Sequence, residues 1–269
     1  MGKLPVAVCM ISGAEARRIG RALGSVSGWT SEVVVVLNEE VSDGTEAMAL
    51  EHGAKVFREP WQGWVRQKNS AAQKASQPWL LGLDADEEVP PALREEITRT
   101  LADRNLAERY AAFDFPRCSC FCGRWIRHGD WYPNRVTRLW KRGAAVWAGE
   151  GLHERLEVAG RVGHLRHDLN HYPVESMQQL LAKLGRYGDT FARTRLGRRS
   201  GWFDLVVRPW WRFVRAYVLR GGFLDGWQGC YIAWWVAFYT ATRYAKVREA
   251  QTASGLNAGN SPTHAQPQP

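Results

Sequence analysis

Short apolar, β-rich runs alternate with helical patterns over the first 115 residues of the chain. The runs that predict strands are 4–11, 32–37, 55–57, 79–83 and 111–115. Between them, the spacing of apolar residues predicts helices over 16–26, 43–52, 63–75 and 91–106. Strands that alternate with helices pair in parallel, because each helix crosses back over one face of the sheet. The pattern therefore predicts the α/β class, with a doubly wound and mostly parallel sheet.

The predicted strand 79–83 is followed directly by two acids, Asp84 and Asp86. Ligands bind at the carboxyl ends of the strands in open α/β sheets. If the chain turns here, as the nearby Pro90-Pro91 pair suggests, both carboxylates converge on one position. Such a pair suits a hard divalent cation that also holds a diphosphate. The alternative is an acidic strand end that leads into a helix N-terminus, where acids are favoured without any ligand.

The chain is basic: 36 Lys and Arg stand against 27 Asp and Glu, a formal net charge of +9 in 269 residues. Nine arginines and only two acids lie between Arg186 and Arg220. Nucleic acid, anionic lipid and phosphorylated substrates can all use such a patch, but no nucleic-acid motif accompanies it. Five cysteines without a secretory leader fit a reducing compartment. Cys118, Cys120 and Cys122 are predicted to be small core residues on one strand face rather than zinc ligands.

The C-terminal part of the chain combines arginines with aromatic residues. Arg208, Arg212 and Arg215 fall on one helical face, and the charge-free run 226–242 carries six Trp, Tyr and Phe residues. This composition predicts helices over 201–248 that lie on an anionic membrane surface. The alternatives are a helical hairpin packed on the catalytic domain and a membrane span at the short limit of length. Residues 249–269 lack an apolar period and are predicted to be disordered.

Short motifs follow one another in order along residues 4–248. They are Val6–Ile11 with Glu15, Val33–Val36 with Asp43-Gly44-Thr45, Ala54–Phe57, Gln67-Lys68-Asn69, Leu83–Glu87, Trp125–Pro133, Arg138–Gly143, Leu152-His153-Glu154 and His171-Tyr172. In order and spacing they resemble the family 2 inverting glycosyltransferases of the GT-A fold, and more narrowly the bacterial branch that includes lipopolysaccharide-core β-1,4-glucosyltransferases. The resemblance implies a Rossmann-like catalytic domain over 1–200, with a nucleotide-sugar half, 1–115, and an acceptor half, 116–200.

The resemblance also implies a nucleotide diphosphate sugar as donor, with a divalent metal, Mg²⁺ or Mn²⁺, on its diphosphate. Asp86 and His171 would ligate the metal, and Asp84 would face the ribose or the metal. Asp43 and Asn38 would line the base and the ribose. The family usually has Asp at position 38, so the Asn in this chain leaves the identity of the base open, because an amide both accepts and donates hydrogen bonds.

Further residues belong to the donor site by the same resemblance. They are Glu15, Gln67, Lys68, Asn69, Arg135 and Arg138. Lys68 would meet a phosphate, and Asn69 would hold the acidic loop through its amide. Arg135 and Arg138 would clamp the diphosphate or an anionic acceptor, because guanidinium forks match phosphate oxygens. For residues 67–69 the alternative is a solvated helix face.

An inverting transfer needs a base that takes the proton of the acceptor hydroxyl as its oxygen attacks the sugar. The resemblance places Glu154 in this role. His153 would orient Glu154 or touch the donor phosphate. The alternative for Glu154 is an ion pair with Arg155 or a neighbouring arginine on a surface strand. Asp130 is a weaker candidate for the base.

These expectations describe a metal-dependent inverting glycosyltransferase that moves a hexose, glucose from UDP-glucose, to a lipopolysaccharide-core or other lipid-linked acceptor. It would work in the cytoplasm, as a peripheral protein on the inner membrane, and would not bind nucleic acid. The alternative is a noncatalytic protein that binds a nucleotide sugar or a glycan through a degenerate donor site. Asn38 and the unusual first loop, Ser12-Gly13-Ala14, favour that alternative.

Overall fold

A computed structural model describes residues 2–149, 154–174, 176–181, 191 and 201–259. The chain divides into two compact units. The first comprises Met1–Cys120 and Tyr132–Pro173, and the second comprises Phe121–Trp131 and Val174–Pro269. The helical unit therefore includes a short segment from the middle of the chain, which a boundary drawn at residue 200 does not anticipate.

Twelve strands lie in the described chain. They are β1 (Leu4–Ser12), β2 (Thr30–Asn38), β3 (Lys55–Glu59), β4 (Trp79–Gly82), β5 (Glu87–Glu88), β6 (Ala112–Phe121), β7 (Arg124–Ile126), β8 (Asn134–Lys141), β9 (Ala145–Ala148), β10 (Arg155–Val158), β11 (Val162–His164) and β12 (Leu169–His171). The helices between them are α1 (Ile19–Gly24), α2 (Thr45–Glu51), α3 (Trp64–Lys74), α4 (Pro91–Ala102) and α5 (Arg104–Arg109).

The first unit is built on a sheet with the strand order β3-β2-β1-β4-β8-β6-β12-β5. Its central strands are parallel: Val8 of β1 pairs with Val33 of β2 on one side and with Leu81 of β4 on the other. Strand β8 enters antiparallel between β4 and β6. The predicted α/β class with a mostly parallel sheet is confirmed.

Both faces of this sheet are buried, which is why its central strands read as continuous apolar runs. On one face Val6, Val8 and Met10 of β1 pack with residues of α1 and α4. On the other face the alternate residues of β1 pack against α3 and Trp140 of β8. The side chains of one strand thus alternate between two separate cores.

The predicted helix 91–106 is two helices. Helix α4 ends at Ala102, and the carboxylate of Asp103 accepts hydrogen bonds from the backbone N–H groups of Asn105 and Leu106 at the start of α5. An aspartate that caps a new helix in this way ends the preceding one. The strand predicted over 111–115 continues to Phe121, so Cys118 is buried, but Cys122 lies in the following turn and is exposed. The expectation of three core cysteines is therefore wrong for Cys122.

The described part of the second unit is mostly helical, with strand β7 in its first segment, and we call it the helical unit. A helical segment runs over 203–219, a 3-10 turn follows at Gly222–Asp225, and a long C-terminal helix spans Gly226–Gly259. Its core includes Phe121, Leu180, Ile232 and Val236. No helix in the described ranges is long and apolar enough to cross a membrane.

The disorder expected from residue 249 is wrong as far as Gly259, because the C-terminal helix continues through those residues. Extending an existing helix by one residue requires no new nucleus, so a polar, alanine-containing sequence can follow a well-packed helix. Residues 260–269 lie outside the described part of the chain. The sequence pattern predicts a further helix from Glu175 to about Leu196. Within it, residues 176–181 and 191 are described, and residues 177–181 and 191 are helical.

Candidate active site

The acidic pair follows β4, at the carboxyl edge of the parallel strands, and the chain turns there. The backbone N–H of Glu87 donates to the carbonyl of Asp84 at 3.0 Å, and the Glu87 carboxylate accepts from the N–H of Asp84, also at 3.0 Å. Beyond the turn, β5 pairs antiparallel with β12, which brings His171 opposite Glu87. The turn thus lies within the acidic motif itself, several residues before Pro90.

Asp84 is held between two cations. Its carboxylate accepts from the Arg138 guanidinium and from the Lys68 ammonium, the latter at 3.0 Å. Burial alone would raise the pKa of the Asp84 carboxyl, but the charges of Arg138 and Lys68 outweigh it and hold that pKa well below its ordinary value. Asp84 is therefore a carboxylate throughout the physiological pH range.

Arg138 reaches Asp84 because of an irregularity in β8. Leu139 pairs with Phe113 and Thr137 pairs with Asp114, so Arg138 is the extra residue of a β-bulge. A bulge redirects a side chain from the face that strand alternation would give it. The guanidinium is 6% exposed, and its Nη1 atom is buried without a hydrogen-bond partner in the described part of the chain. That nitrogen is an available donor for an anionic ligand.

The side chain of Glu87 stabilises the acidic turn. Its fully buried carboxylate accepts from Arg138 at 3.2 Å and from Arg117 at 3.0 Å, as well as from the backbone of Asp84. Two cations and a backbone donor therefore converge on one side chain. Sequence reasoning assigned no role to Glu87, since an acid after two other acids carries no signal of burial.

We expect Glu87→Gln to destabilise the protein by about 3 kcal/mol, because removal of one partner from a buried ion network leaves the other charges uncompensated. Denaturant unfolding measures the change. Glu95→Gln is the matched control, since Glu95 is exposed on α4 and its substitution is expected to cost less than about 0.5 kcal/mol. Equal effects of the two substitutions would contradict the buried network.

Lys68 joins the acidic turn to the candidate base. Its ammonium, 7% exposed, contacts Glu154 as well as Asp84 and lies 4.6 Å from the centre of the Trp147 ring. The two carboxylates thus share one cation although they lie 70 residues apart in the chain. The second oxygen of Glu154 is buried and lacks a hydrogen-bond partner among the described residues. Arg155, the expected alternative partner, instead pairs with Glu157.

His171 faces Asp86. The His171 Nε2 atom lies 3.7 Å from Asp86 Oδ2, and the other ring nitrogen is hydrogen-bonded to the Ser119 hydroxyl at 2.9 Å. Burial would raise the pKa of Asp86, but its hydrogen bond and charge interaction with His171 lower that pKa. A hydrogen bond on one ring nitrogen orients the other toward a ligand, as in many metal sites.

The donor set fits a divalent cation that is shared with a substrate. An aspartate oxygen from the acidic turn and an imidazole nitrogen from β12 suit Mn²⁺ or Mg²⁺, and the imidazole favours Mn²⁺. No group of three or more His, Cys, Asp or Glu side chains suited to a metal occurs among the described residues. Asp86 and His171 would therefore leave most coordination positions to diphosphate oxygens and water.

The expected nucleotide-side residues lie at the ends of β1 and β2. Asn38 is the last residue of β2. Asp43 accepts from the Thr45 hydroxyl and backbone N–H and from the N–H of Ala16, and these bonds lower its pKa, the Thr45 hydroxyl most. The N–H of Glu15 donates to the same Thr45 hydroxyl at 2.9 Å. These hydrogen bonds thus join the segment of Glu15 to that of Asp43, at the edge of the sheet where β4 also ends.

Two residues predicted for the donor site have other partners. Arg135 does not join Arg138: its guanidinium binds the Asp114 carboxylate and the Leu165 carbonyl, because only Arg138 is redirected by the bulge. Asn69 does not hold the acidic turn. Its amide exchanges two 2.9 Å hydrogen bonds with the backbone of Trp147 and so fixes β9 against α3.

Gln67 is buried rather than solvated, and its carbonyl oxygen lacks a hydrogen-bond partner in the described ranges. His153 lies outside the described residues. Asp130, the weaker candidate for the base, belongs to the helical unit and lies within ion-pair distance of arginines there, although neither of its carboxylate oxygens has a hydrogen-bond partner among the described residues. Trp147, which contacts Lys68, Arg138 and Asn69, was not anticipated, since nothing local marks it as part of the site.

Comparison with known proteins shows the family of the chain. Residues 7–143 match the family described as Glycosyl transferase family 2. An uncharacterized glycosyltransferase of Rickettsia felis is 30% identical over 262 residues, covering 91% of this chain and 90% of the relative. The lipopolysaccharide core biosynthesis glycosyltransferase LpsC of Rhizobium meliloti is 26% identical over 254 residues, covering 91% and 92%.

Solved structures with a similar course of the chain have low sequence identity. TarS 1–349 of S. aureus in complex with UDP-GlcNAc has a TM-score of 0.49 at 12% identity, and the match covers 94% of this chain and 92% of that one. Glucosyl-3-phosphoglycerate synthase of Mycobacterium tuberculosis, in complex with Mn²⁺, UDP and glucosyl-3-phosphoglycerate, has a TM-score of 0.48 at 14% identity, covering 67% and 74%.

Proposed function

Because the chain belongs to glycosyl transferase family 2 and is a glycosyltransferase, we propose that it transfers glucose from UDP-glucose, with inversion, to a lipopolysaccharide-core or other lipid-linked glycan. The observation that carries the proposal is the Lys68 ammonium, which contacts Asp84 of the acidic turn and Glu154 at once. An inverting transfer needs the acceptor base close to the donor site, because the acceptor hydroxyl attacks the bound sugar. The name of LpsC supports the class of acceptor.

Asp86 and His171 are the residues that would hold a divalent cation, and their pairing supports this assignment. When bound, the cation supplies Lewis-acid stabilisation of the negative charge that develops on a departing diphosphate. Lys68 and Arg138 are placed to bind phosphate oxygens, since Lys68 has three N–H donors and Arg138 has a buried, unpartnered one. Asp84 holds both cations in position.

Glu154 is the proposed general base. The acceptor oxygen forms a bond to the anomeric carbon, the bond from that carbon to the diphosphate breaks, and the acceptor proton passes to the Glu154 carboxylate. The buried oxygen of Glu154 that lacks a partner in the described chain supports this role, because it is free to accept a hydroxyl proton. Lys68 keeps the other oxygen of the carboxylate fixed.

The identity of the donor is tested by thermal unfolding with UDP-, GDP-, CDP- and dTDP-glucose, each with Mn²⁺ and with a chelator. We expect UDP-glucose with Mn²⁺ to raise the Tm by about 5 °C or more, because a ligand at 100 times its Kd stabilises by about 2.7 kcal/mol. A larger shift with another nucleotide would assign a different base to the site beside Asn38. Shifts that are the same with chelator would contradict a metal-assisted donor site.

The proposal includes peripheral attachment to the cytoplasmic face of the inner membrane. It is supported by large apolar side chains of the helical unit that are each more than half exposed, among them Trp202, Phe203, Trp210, Trp227, Trp234 and Phe238. Exposed aromatic rings beside basic residues are typical of helices that lie in a membrane interface. Such attachment would present the enzyme to a lipid-linked acceptor.

A further inference from the structure

Three arginines of the helical unit converge on one buried carboxylate. Asp130, 5% exposed, lies 2.9 Å from a guanidinium nitrogen of Arg212, 3.3 Å from one of Arg220 and 3.8 Å from one of Arg215. Asp130 stands in a 3-10 turn, whereas the arginines belong to the segment that follows residue 203. The fold therefore gathers these charges from separate parts of the unit, and we call them the arginine cluster.

The arginine cluster carries more positive charge than its surroundings neutralise. Burial lowers the pKa of Arg212, and the charges of Arg215, Arg243 and Arg220 lower it further against the opposing effect of Asp130. One carboxylate facing three guanidinium groups leaves two of them unbalanced. The other aspartates of the described helical unit have partners of their own: Asp204 binds Arg208, and Asp225 binds His128.

The three arginine side chains of the cluster are partly exposed. The side chains of Arg212, Arg215 and Arg220 are 35%, 33% and 43% exposed, so an anion can reach all three. Three converging guanidinium groups match the oxygens of a phosphate, with which they form charge-assisted hydrogen bonds. Arginines that merely coat a surface would instead point apart and would share no buried carboxylate.

Exposed apolar side chains stand in the same helical segment as the arginines. Trp210, Trp211, Val218 and Leu219 are each more than half exposed. A phosphate that binds the arginine cluster would therefore have aromatic and aliphatic surface beside it. This combination matches a lipid, whose headgroup is anionic and whose adjoining chains are apolar.

We propose that Arg212, Arg215 and Arg220 form a binding site for the headgroup phosphate of an anionic membrane lipid, and that Asp130 holds the three guanidinium groups together. The inference rests on the membrane attachment proposed above and deepens it, because it names the headgroup and the residues that bind it. Asp130 is a positioning residue here and does not contact the lipid.

The test measures sedimentation of the full chain with two kinds of vesicle, pure phosphatidylcholine and a mixture with phosphatidylglycerol. The variant is the double substitution Arg215→Gln, Arg220→Gln, which leaves Arg212 to pair with Asp130. The matched control is Arg142→Gln, Arg248→Gln, which removes the same charge at two exposed positions outside the cluster. Circular dichroism and binding to phosphatidylcholine report whether the variants keep their fold and their apolar surface.

We expect the cluster variant to bind phosphatidylglycerol vesicles about 30-fold more weakly than the wild type, since each basic residue near an anionic surface contributes about 1 kcal/mol. The control should lose less than about threefold, and binding to phosphatidylcholine should not change. Equal losses in both variants would overturn the site and leave membrane attachment standing. Absence of vesicle binding by the wild type would overturn the attachment as well. Tighter binding of the wild type than of the cluster variant to DNA, without a difference on phosphatidylglycerol vesicles, would overturn the assignment of the site to a lipid headgroup.

Discussion

Glu154→Gln is expected to lower kcat for glycosyl transfer by about 10²- to 10⁴-fold, the usual contribution of a positioned general base. The amide has nearly the shape of the carboxylate, and its oxygen can still accept a hydrogen bond from Lys68, which contacts Glu154 in the native protein. What the amide loses is the ability to take a proton. The Kd of the donor should therefore change little, so the effect falls on kcat.

The control for this substitution is Glu157→Gln, the same chemical change three residues further along the chain. Glu157 is about half exposed and pairs locally, with Arg155. It should retain nearly the full rate. If Glu154→Gln kept more than about a tenth of the wild-type kcat, another group would have to be the base, and Glu154 would be a structural partner of Lys68. Loss of donor affinity together with rate would indicate the same structural role.

Asp86→Asn is expected to lower kcat/KM by about 10³-fold and to remove the metal-dependent part of donor binding. A bound cation contributes several kcal/mol to the stabilisation of charge at a leaving group, and each 1.36 kcal/mol corresponds to a factor of ten in rate. Asp86 is one of only two side chains assigned to the cation, and its partner His171 lies 3.7 Å away. The neutral amide keeps the size of the side chain but is a poor ligand for a hard cation.

Calorimetric titration of the donor with and without Mn²⁺ measures this effect. Asp103→Asn is the matched control, because Asp103 caps α5 and asparagine is an equally good cap. The wild type and the control should bind UDP-glucose more tightly with Mn²⁺, whereas Asp86→Asn should bind it equally with and without the metal. A variant that keeps its metal dependence would remove Asp86 from the metal shell.

Local pattern was sufficient for the first four strands of the first unit and the helices between them. Whether a segment forms a strand or a helix depends on the spacing of its own apolar residues, and β1 to β4 with their intervening helices follow that spacing closely. The acidic turn after β4 could be predicted for the same reason. The positions of Lys68, Asp84 and Glu154 in the family motifs likewise identified them as candidate site residues. Those positions did not predict that Lys68 contacts both carboxylates.

Long-range pairing decided what the sequence left open. Arg138 reaches Asp84 through a bulge, whereas Arg135, equally basic and three residues away, is turned to Asp114. Ion pairs of this kind depend on strand register and on the distances between loops that are remote in the chain. Neither of these can be inferred from the spacing of apolar residues in the sequence.

The amino-acid sequence by itself determined the α/β architecture, the position of the acidic turn and the family. The tertiary structure alone decided which cation serves which carboxylate: Lys68 between Asp84 and Glu154, and three arginines around Asp130. The physical reason is that backbone geometry responds to neighbours a few residues away. A buried charge, in contrast, must find its partner wherever the packed chain places one.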